Sequence, residues 1–134
     1  IGLAGNVVNA EVVALSSGVR THVAGDPLDR VPDYSYMFSA RYDFDWANKG
    51  PGFIRLGYNV QGPSTITNRP SAPQASSDTV RFLEASYGVM LNNWDFEVFG
   101  RNLLDDRGII IASQTEQNAQ ARPRTIGLKV GRSW

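Results

Sequence analysis

Cysteine is absent from the 134 residues, histidine occurs once, and thirteen basic side chains are cancelled by thirteen acidic ones. Without cysteine there is no disulfide framework, no thiolate metal site and no thiol nucleophile. A net charge of zero supplies no field to gather a polyanion, so nucleic acid is not an expected partner. The lone His22 lies in a stretch of turn formers, with no serine and carboxylate arrangement around it to suggest a triad. Asp43 with Asp45 and Asp105 with Asp106 lack the further ligands and the glycine of a calcium loop, and the glycines are scattered rather than gathered into a phosphate cradle. No catalytic residue, metal or cofactor is therefore expected, and the chain reads as a non-enzyme. Long apolar runs are missing as well: nowhere do about eighteen apolar residues stand together, which excludes a transmembrane helix. The first residues lack the charged start and apolar stretch of a signal peptide. The chain opens on Ile1 rather than methionine, which suggests a piece of a longer precursor whose export signal stands upstream. The length suits one structural unit.

What the chain does have is alternation. From Tyr34 to Trp46, the residues Tyr34, Tyr36, Phe38, Ala40, Tyr42, Phe44 and Trp46 alternate with Ser35, Met37, Ser39, Arg41, Asp43 and Asp45. A strand of that length, tilted by about 45°, rises roughly 30 Å, close to a bilayer core, whereas globular strands run about five or six residues. Five more strands follow the same logic. Near the start, Val8, Ala10, Val12 and Ala14 oppose Asn9 and Glu11. From Phe53 to Ser64 the apolar set is Ile54, Leu56, Tyr58 and Val60; from Val80 to Leu91 it is Leu83, Ala85, Tyr87, Val89 and Leu91, with Phe82 as the exception. From Trp94 onward, Trp94, Phe96 and Val98 oppose Asp95, Glu97 and Arg101. In the last strand Ile126, Leu128, Val130 and Trp134 share one face, and Thr125, Gly127, Lys129, Gly131 and Ser133 the other. Arg132 falls on the apolar parity, but near the end, where a long cation can snorkel to headgroups.

The connections alternate in length. Ala47 to Gly52 and Asn92-Asn93 are short, whereas Ser16 to Asp33, Thr65 to Thr79 and Leu103 to Arg122 are long and rich in turn formers. Short turns on one side and long loops on the other is the layout of an outer-membrane barrel. With the long loops extracellular, Trp46, Trp94 and Trp134 all fall at the periplasmic strand ends on the lipid-facing parity, an aromatic girdle, and Tyr34 and Tyr36 sit at the opposite rim. The expected fold is all-β: an antiparallel up-and-down meander of about six long strands, part of a larger transmembrane β-barrel.

Two stretches carry a family resemblance. Asn102-Leu103-Leu104-Asp105-Asp106 closes the penultimate strand, and Arg122-Pro123-Arg124-Thr125-Ile126-Gly127-Leu128 opens the last. Together with the aromatic end they resemble the C-terminal part of TonB-dependent receptors, as does Gly25-Asp26-Pro27-Leu28-Asp29-Arg30-Val31-Pro32-Asp33-Tyr34, with its Val-Pro before a descending strand. The resemblance implies a 22-stranded outer-membrane barrel around an N-terminal plug, taking up ferric siderophores, cobalamin or glycans with energy from the TonB complex. Residues 1–134 would then be its C-terminal barrel segment, with plug and earlier strands absent. The implied partners are the rest of that receptor, outer-membrane lipid, the barrel-assembly machinery and, through the missing part, the TonB complex. Ile126, Leu128, Val130 and Trp134 would form the assembly signal. The location implied is the outer membrane of a Gram-negative bacterium.

On the polar parity Arg41, Asp43, Asp45, Arg55, Glu84, Asp95, Glu97, Arg101 and Lys129 nearly balance, which suits ion pairs to a plug better than a selective pore. Those charges also suit the solvated side of a sheet whose apolar side is a core. In the loops Arg20, His22, Arg69, Arg107 and Arg122, with Gln117, are candidates to touch an anionic ligand. The rival reading is a soluble all-β binding module packing sheet on sheet, as a homodimer that covers its free edges. An outer-membrane hydrolase would need a Ser, His and acid cluster that the sequence does not display.

Overall fold

The computed structural model describes residues 28–46, 50–66, 74–113 and 118–132. The described residues hold nine strands in chain order: β1 (Ser35–Asp45), β2 (Pro51–Gln61), β3 (Thr65–Ile66), β4 (Ala75–Ser76), β5 (Val80–Leu91), β6 (Trp94–Arg101), β7 (Ile109–Ile111), β8 (Ala119–Gln120) and β9 (Thr125–Arg132). The five long ones form one antiparallel sheet in the order β1-β2-β5-β6-β9, a meander without crossover, and the short ones pair as β3-β4 and β7-β8. No helix occurs among the described residues.

Register turns the alternation of single strands into two continuous faces. Ala40 stands opposite Leu56, Leu56 opposite Ala85, Ala85 opposite Gly100 and Gly100 opposite Ile126. Because side chains alternate strictly along each strand, this one line fixes every other row. Tyr42, Ile54, Tyr87, Val98 and Leu128 therefore share a face with Phe38, Tyr58, Leu83 and Val130, as their periodicity requires. A slip of one residue in any pairing would have mixed the faces.

No second layer of described residues packs across either face. Ile126 is 70 % exposed and Leu128 64 %, and Tyr36, Tyr42, Ile54, Leu56, Tyr87 and Val98 are exposed beside them. Contiguous apolar surface of this kind marks a face that meets something other than water. Among the described residues the buried hydrophobics are Ile66, Val80, Ala112 and Ala121. All four lie at the long-loop end, so the core caps the sheet instead of backing it.

At the opposite end Trp46 N donates to the Gly50 carbonyl at 2.9 Å between β1 and β2. Asn92 holds a left-handed φ of 54° in the two-residue turn between β5 and β6, a conformation asparagine tolerates well. Gly50, at φ 145°, leads into β2, and the Met90 carbonyl oxygen occupies the place where its Cβ would stand, so only glycine fits.

Strand bounds differ from expectation at a few points. β1 starts at Ser35, although Tyr34 still accepts a backbone hydrogen bond from Gly62 at 2.9 Å, and β2 starts earlier than Phe53, at Pro51. The segments Thr65 to Thr79 and Leu103 to Arg122 were expected as loops, and each contains a miniature hairpin. Strands of two or three residues carry too few positions for a period to be read. What holds β3 to β4 is a buried serine pair: Ser64 N donates to Ser77 Oγ at 2.8 Å and Ser77 N donates to the Ser64 carbonyl at 2.8 Å. The strand expected around Val8 to Ala14 lies outside the described residues, as does Trp134.

Candidate functional site

On the polar face two clusters repeat one design. The Phe53 ring lies across its cross-strand partner Gly88, with the Arg41 guanidinium 4.5 Å and the Arg55 guanidinium 5.5 Å from its centroid. The Phe99 ring lies across Gly127, with Arg101 at 5.4 Å and Lys129 at 5.0 Å. A ring laid flat over a glycine fills the gap that residue leaves in the sheet, and its π face then holds cations close to the backbone. Arg41 and Arg55 are directly opposite one another, a repulsive cross-strand pair. Phe53 and Asp43 offset the repulsion: Asp43 takes a hydrogen bond from Arg41 Nε at 2.8 Å. Across β6 and β9, Lys129 pairs with Glu97 at 3.0 Å.

A side chain at Gly88 would collide with the Phe53 ring, whereas a Cβ at Gly57 would meet only Glu84 Cβ at 3.9 Å. Gly88→Ala is accordingly expected to cost about 1–2 kcal/mol and Gly57→Ala less than about 0.5 kcal/mol, read by chemical denaturation. Equal losses would remove the ring-over-glycine account.

Between these clusters Asn59, Phe82, Glu84, Glu97, Phe99 and Arg101 border a shallow depression of about 490 Å³. Phe82, the exception to the parity of its strand, belongs to this aromatic set. The face is equipped for ion pairs, cation–π contacts and hydrogen bonds. Among the described residues no group of three or more His, Cys, Asp or Glu could hold a metal ion.

The apolar face is bordered by aromatics. Trp46 and Trp94 stand at the short-turn end, and Tyr87 packs edge-on against Trp46 at 6.3 Å. Arg132 lies over the Trp94 ring at 5.4 Å, so its stem and charge are held against an aromatic. Tyr34 and Tyr36 neighbour each other at the long-loop end, with centroids 5.4 Å apart. Of the proposed assembly residues, Ile126, Leu128 and Val130 are exposed on β9.

The Asn102 to Asp106 segment is a fastener. Asn102 is buried at φ 48°; its Nδ2 donates to the carbonyls of Asp106 at 2.9 Å and Arg122 at 2.6 Å, and its Oδ1 accepts from Asp106 N at 3.1 Å. Leu103 N donates to the Leu83 carbonyl at 2.8 Å, which lays the turn over β5. The two sequence stretches that carry the family resemblance are therefore in direct contact, a juxtaposition that spacing alone could not show.

Asp105 accepts from Arg124 N at 3.0 Å and from Arg107 Nε at 3.2 Å, and these bonds, the backbone one first, hold its carboxyl below the usual carboxylate range. A depressed carboxyl adds stability that is complete above about pH 4 and is lost as pH falls through its lower folded value. Asp105→Asn is expected to lower stability at neutral pH and to flatten the acid limb of a stability-versus-pH curve below about pH 4, so that variant and parent converge in acid. An acid limb identical to that of the parent would refute this role.

Arg107 is thus an ion-pair partner of Asp105, and Arg122 is exposed with its carbonyl held by Asn102. Arg20, His22, Arg69 and Gln117 lie outside the described residues. The aromatic clusters on the polar face were not legible as sites, because only register reveals that Phe53 meets Gly88 and Phe99 meets Gly127. Compared with known proteins, the chain matches no family model, no curated protein and no solved structure.

Proposed function

We propose that the chain is the C-terminal portion of the barrel wall of a TonB-dependent outer-membrane receptor, acting in energy-dependent uptake of a scarce nutrient of the siderophore, cobalamin or glycan class. The observation that carries this reading is the single-layer sheet, with one exposed face apolar across five strands and the other charged. A wall between lipid and a wet interior needs that division. The eleven residues of β1, tilted as barrel strands are, rise roughly 25 Å, the height of an outer-membrane apolar band. Trp46 and Trp94 at one border and Tyr34 and Tyr36 at the other suit the two interfaces. The motif contact through Asn102 adds weight to the resemblance.

In this reading the remaining strands pair with the outer edges of β1 and β9, and the plug meets the polar face through Arg41, Arg55, Glu84, Glu97, Arg101 and Lys129. The assembly machinery takes the strand bearing Ile126, Leu128, Val130 and Trp134. The rival is a soluble binding module that closes its apolar face or its open edges against a second copy, since open edges template pairing. The test is refolding of the chain with and without detergent or phosphatidylcholine vesicles. Sheet structure that forms in, and partitions with, the amphiphile is expected; a monodisperse folded dimer in detergent-free buffer would sink the membrane reading.

A further inference from the structure

Three carboxylates at the long-loop end are turned onto the backbone. Asp78 accepts from Ile109 N at 2.7 Å, and Asp106 accepts from Arg81 N at 2.9 Å and from Gly108 N at 3.0 Å. Asp105 accepts from Arg124 N at 3.0 Å while pairing with Arg107. The main chain at Arg81, Arg122 and Arg124 is thereby drawn to one five-residue turn, Asn102 holding the Arg122 carbonyl at 2.6 Å. Their guanidinium groups are not so held. All three residues are exposed, and none takes part in an ion pair among the described residues.

Their position relative to the sheet gives this cluster a meaning. Arg81 stands opposite Val60 on the apolar parity, and Arg124 lies just before β9, whose Ile126 is on that face. Below them Leu103 covers Gly100, and Ile126, Leu128 and Leu104 are exposed. A cationic rim above an uncovered apolar strip matches an amphiphile with an anionic head and hydrocarbon tails. Guanidinium forks match phosphate oxygens in pairs, and a chain with no net charge attracts them only locally.

Building on the membrane reading above, we propose that Arg81, Arg122 and Arg124 bind the phosphate of a membrane lipid whose acyl chains lie along Ile126, Leu128 and Val98. The lipid belongs to the leaflet at the long-loop end.

The test measures partition of the full chain into phosphatidylcholine vesicles with and without phosphatidic acid, whose head is a phosphomonoester. Binding is expected to strengthen by roughly ten- to a hundredfold with phosphatidic acid. The R81Q/R122Q/R124Q variant should lose that gain; it keeps its sheet, since the bonds at Arg81 and Arg124 come from backbone amides, and circular dichroism checks this. The R41Q/R55Q/R101Q variant, which removes equal charge from the other face, should keep the gain. Equal partition into both vesicles, or loss of the gain in the second variant alone, overturns the lipid site and leaves the membrane reading standing. Displacement by inorganic phosphate as strong as by phosphatidic acid would assign the arginines to free phosphate and overturn the lipid assignment. No partition into either vesicle overturns both readings.

Discussion

Replacing Asn102 by alanine is expected to lower folding stability by about 3–5 kcal/mol. The side chain is 4 % exposed and makes three hydrogen bonds, two as donor to the Asp106 and Arg122 carbonyls and one as acceptor from Asp106 N. Alanine leaves those partners without it, at about 1–3 kcal/mol for each group that stays buried, and adds about 1 kcal/mol for holding φ at 48°. Two further variants separate these causes. Asn102→Gly relieves the backbone but restores no bond, so it should recover only about 1 kcal/mol. Asn102→Asp keeps the shape but cannot donate, and turns a carboxylate oxygen toward two carbonyls, so it should be no better than alanine. Urea unfolding followed by tryptophan fluorescence in detergent micelles measures all three. A loss below about 1 kcal/mol for alanine would mean that Asn102 does not fasten β6 to β9.

Leu128→Arg should cost about 2–4 kcal/mol when the chain is folded into a bilayer, and almost nothing in water. Leu128 lies in the interior of β9, opposite Val98, and is 64 % exposed. An arginine on a lipid-facing barrel position at mid-depth carries a penalty of that size, whereas a new charge on a solvated surface usually changes stability by less than about 0.5 kcal/mol. Ser86→Arg is the matched control. Ser86 stands opposite Arg55 and Phe99 on the polar face, where a new cation has water around it and facing Arg55 costs it at most about 1 kcal/mol. Comparing the stabilities of the two variants folded in vesicles gives the sign. A Leu128→Arg variant as stable as Ser86→Arg in vesicles would mean that Leu128 meets water and not lipid.

How far the sequence leads depends on how many residues carry each signal. The face assignments of five strands were legible because alternation over eight or more residues leaves one consistent parity, and register then joined the faces without adjustment. Even the misfit Phe82 was on the parity that the structure gives it. The miniature hairpins were not legible, because Thr65-Ile66 with Ala75-Ser76 offers no period. Nor were the Phe53 and Phe99 clusters, since each arises between residues far apart in sequence that only pairing brings together. Asn102 stood within a recognised motif, but its left-handed backbone and its hold on Arg122 are properties of the closed turn. Arg81 carried no signal of its own: a cation on an apolar parity reads as noise until the rim beside it is visible.

The meander order also fixes what must happen as the chain closes. Each strand pairs with the next long strand in sequence, so the closing entropy of each step depends only on the segment between them. Two residues separate β5 from β6, whereas residues 102–124 separate β6 from β9. By loop length alone the second closure is costlier by about 2 kcal/mol. Pairing of β9 with β6 is therefore, with that of β5 onto β2, one of the two costly closures of this sheet, and the Asn102 turn, by gripping Arg122, draws together the two ends that it must join.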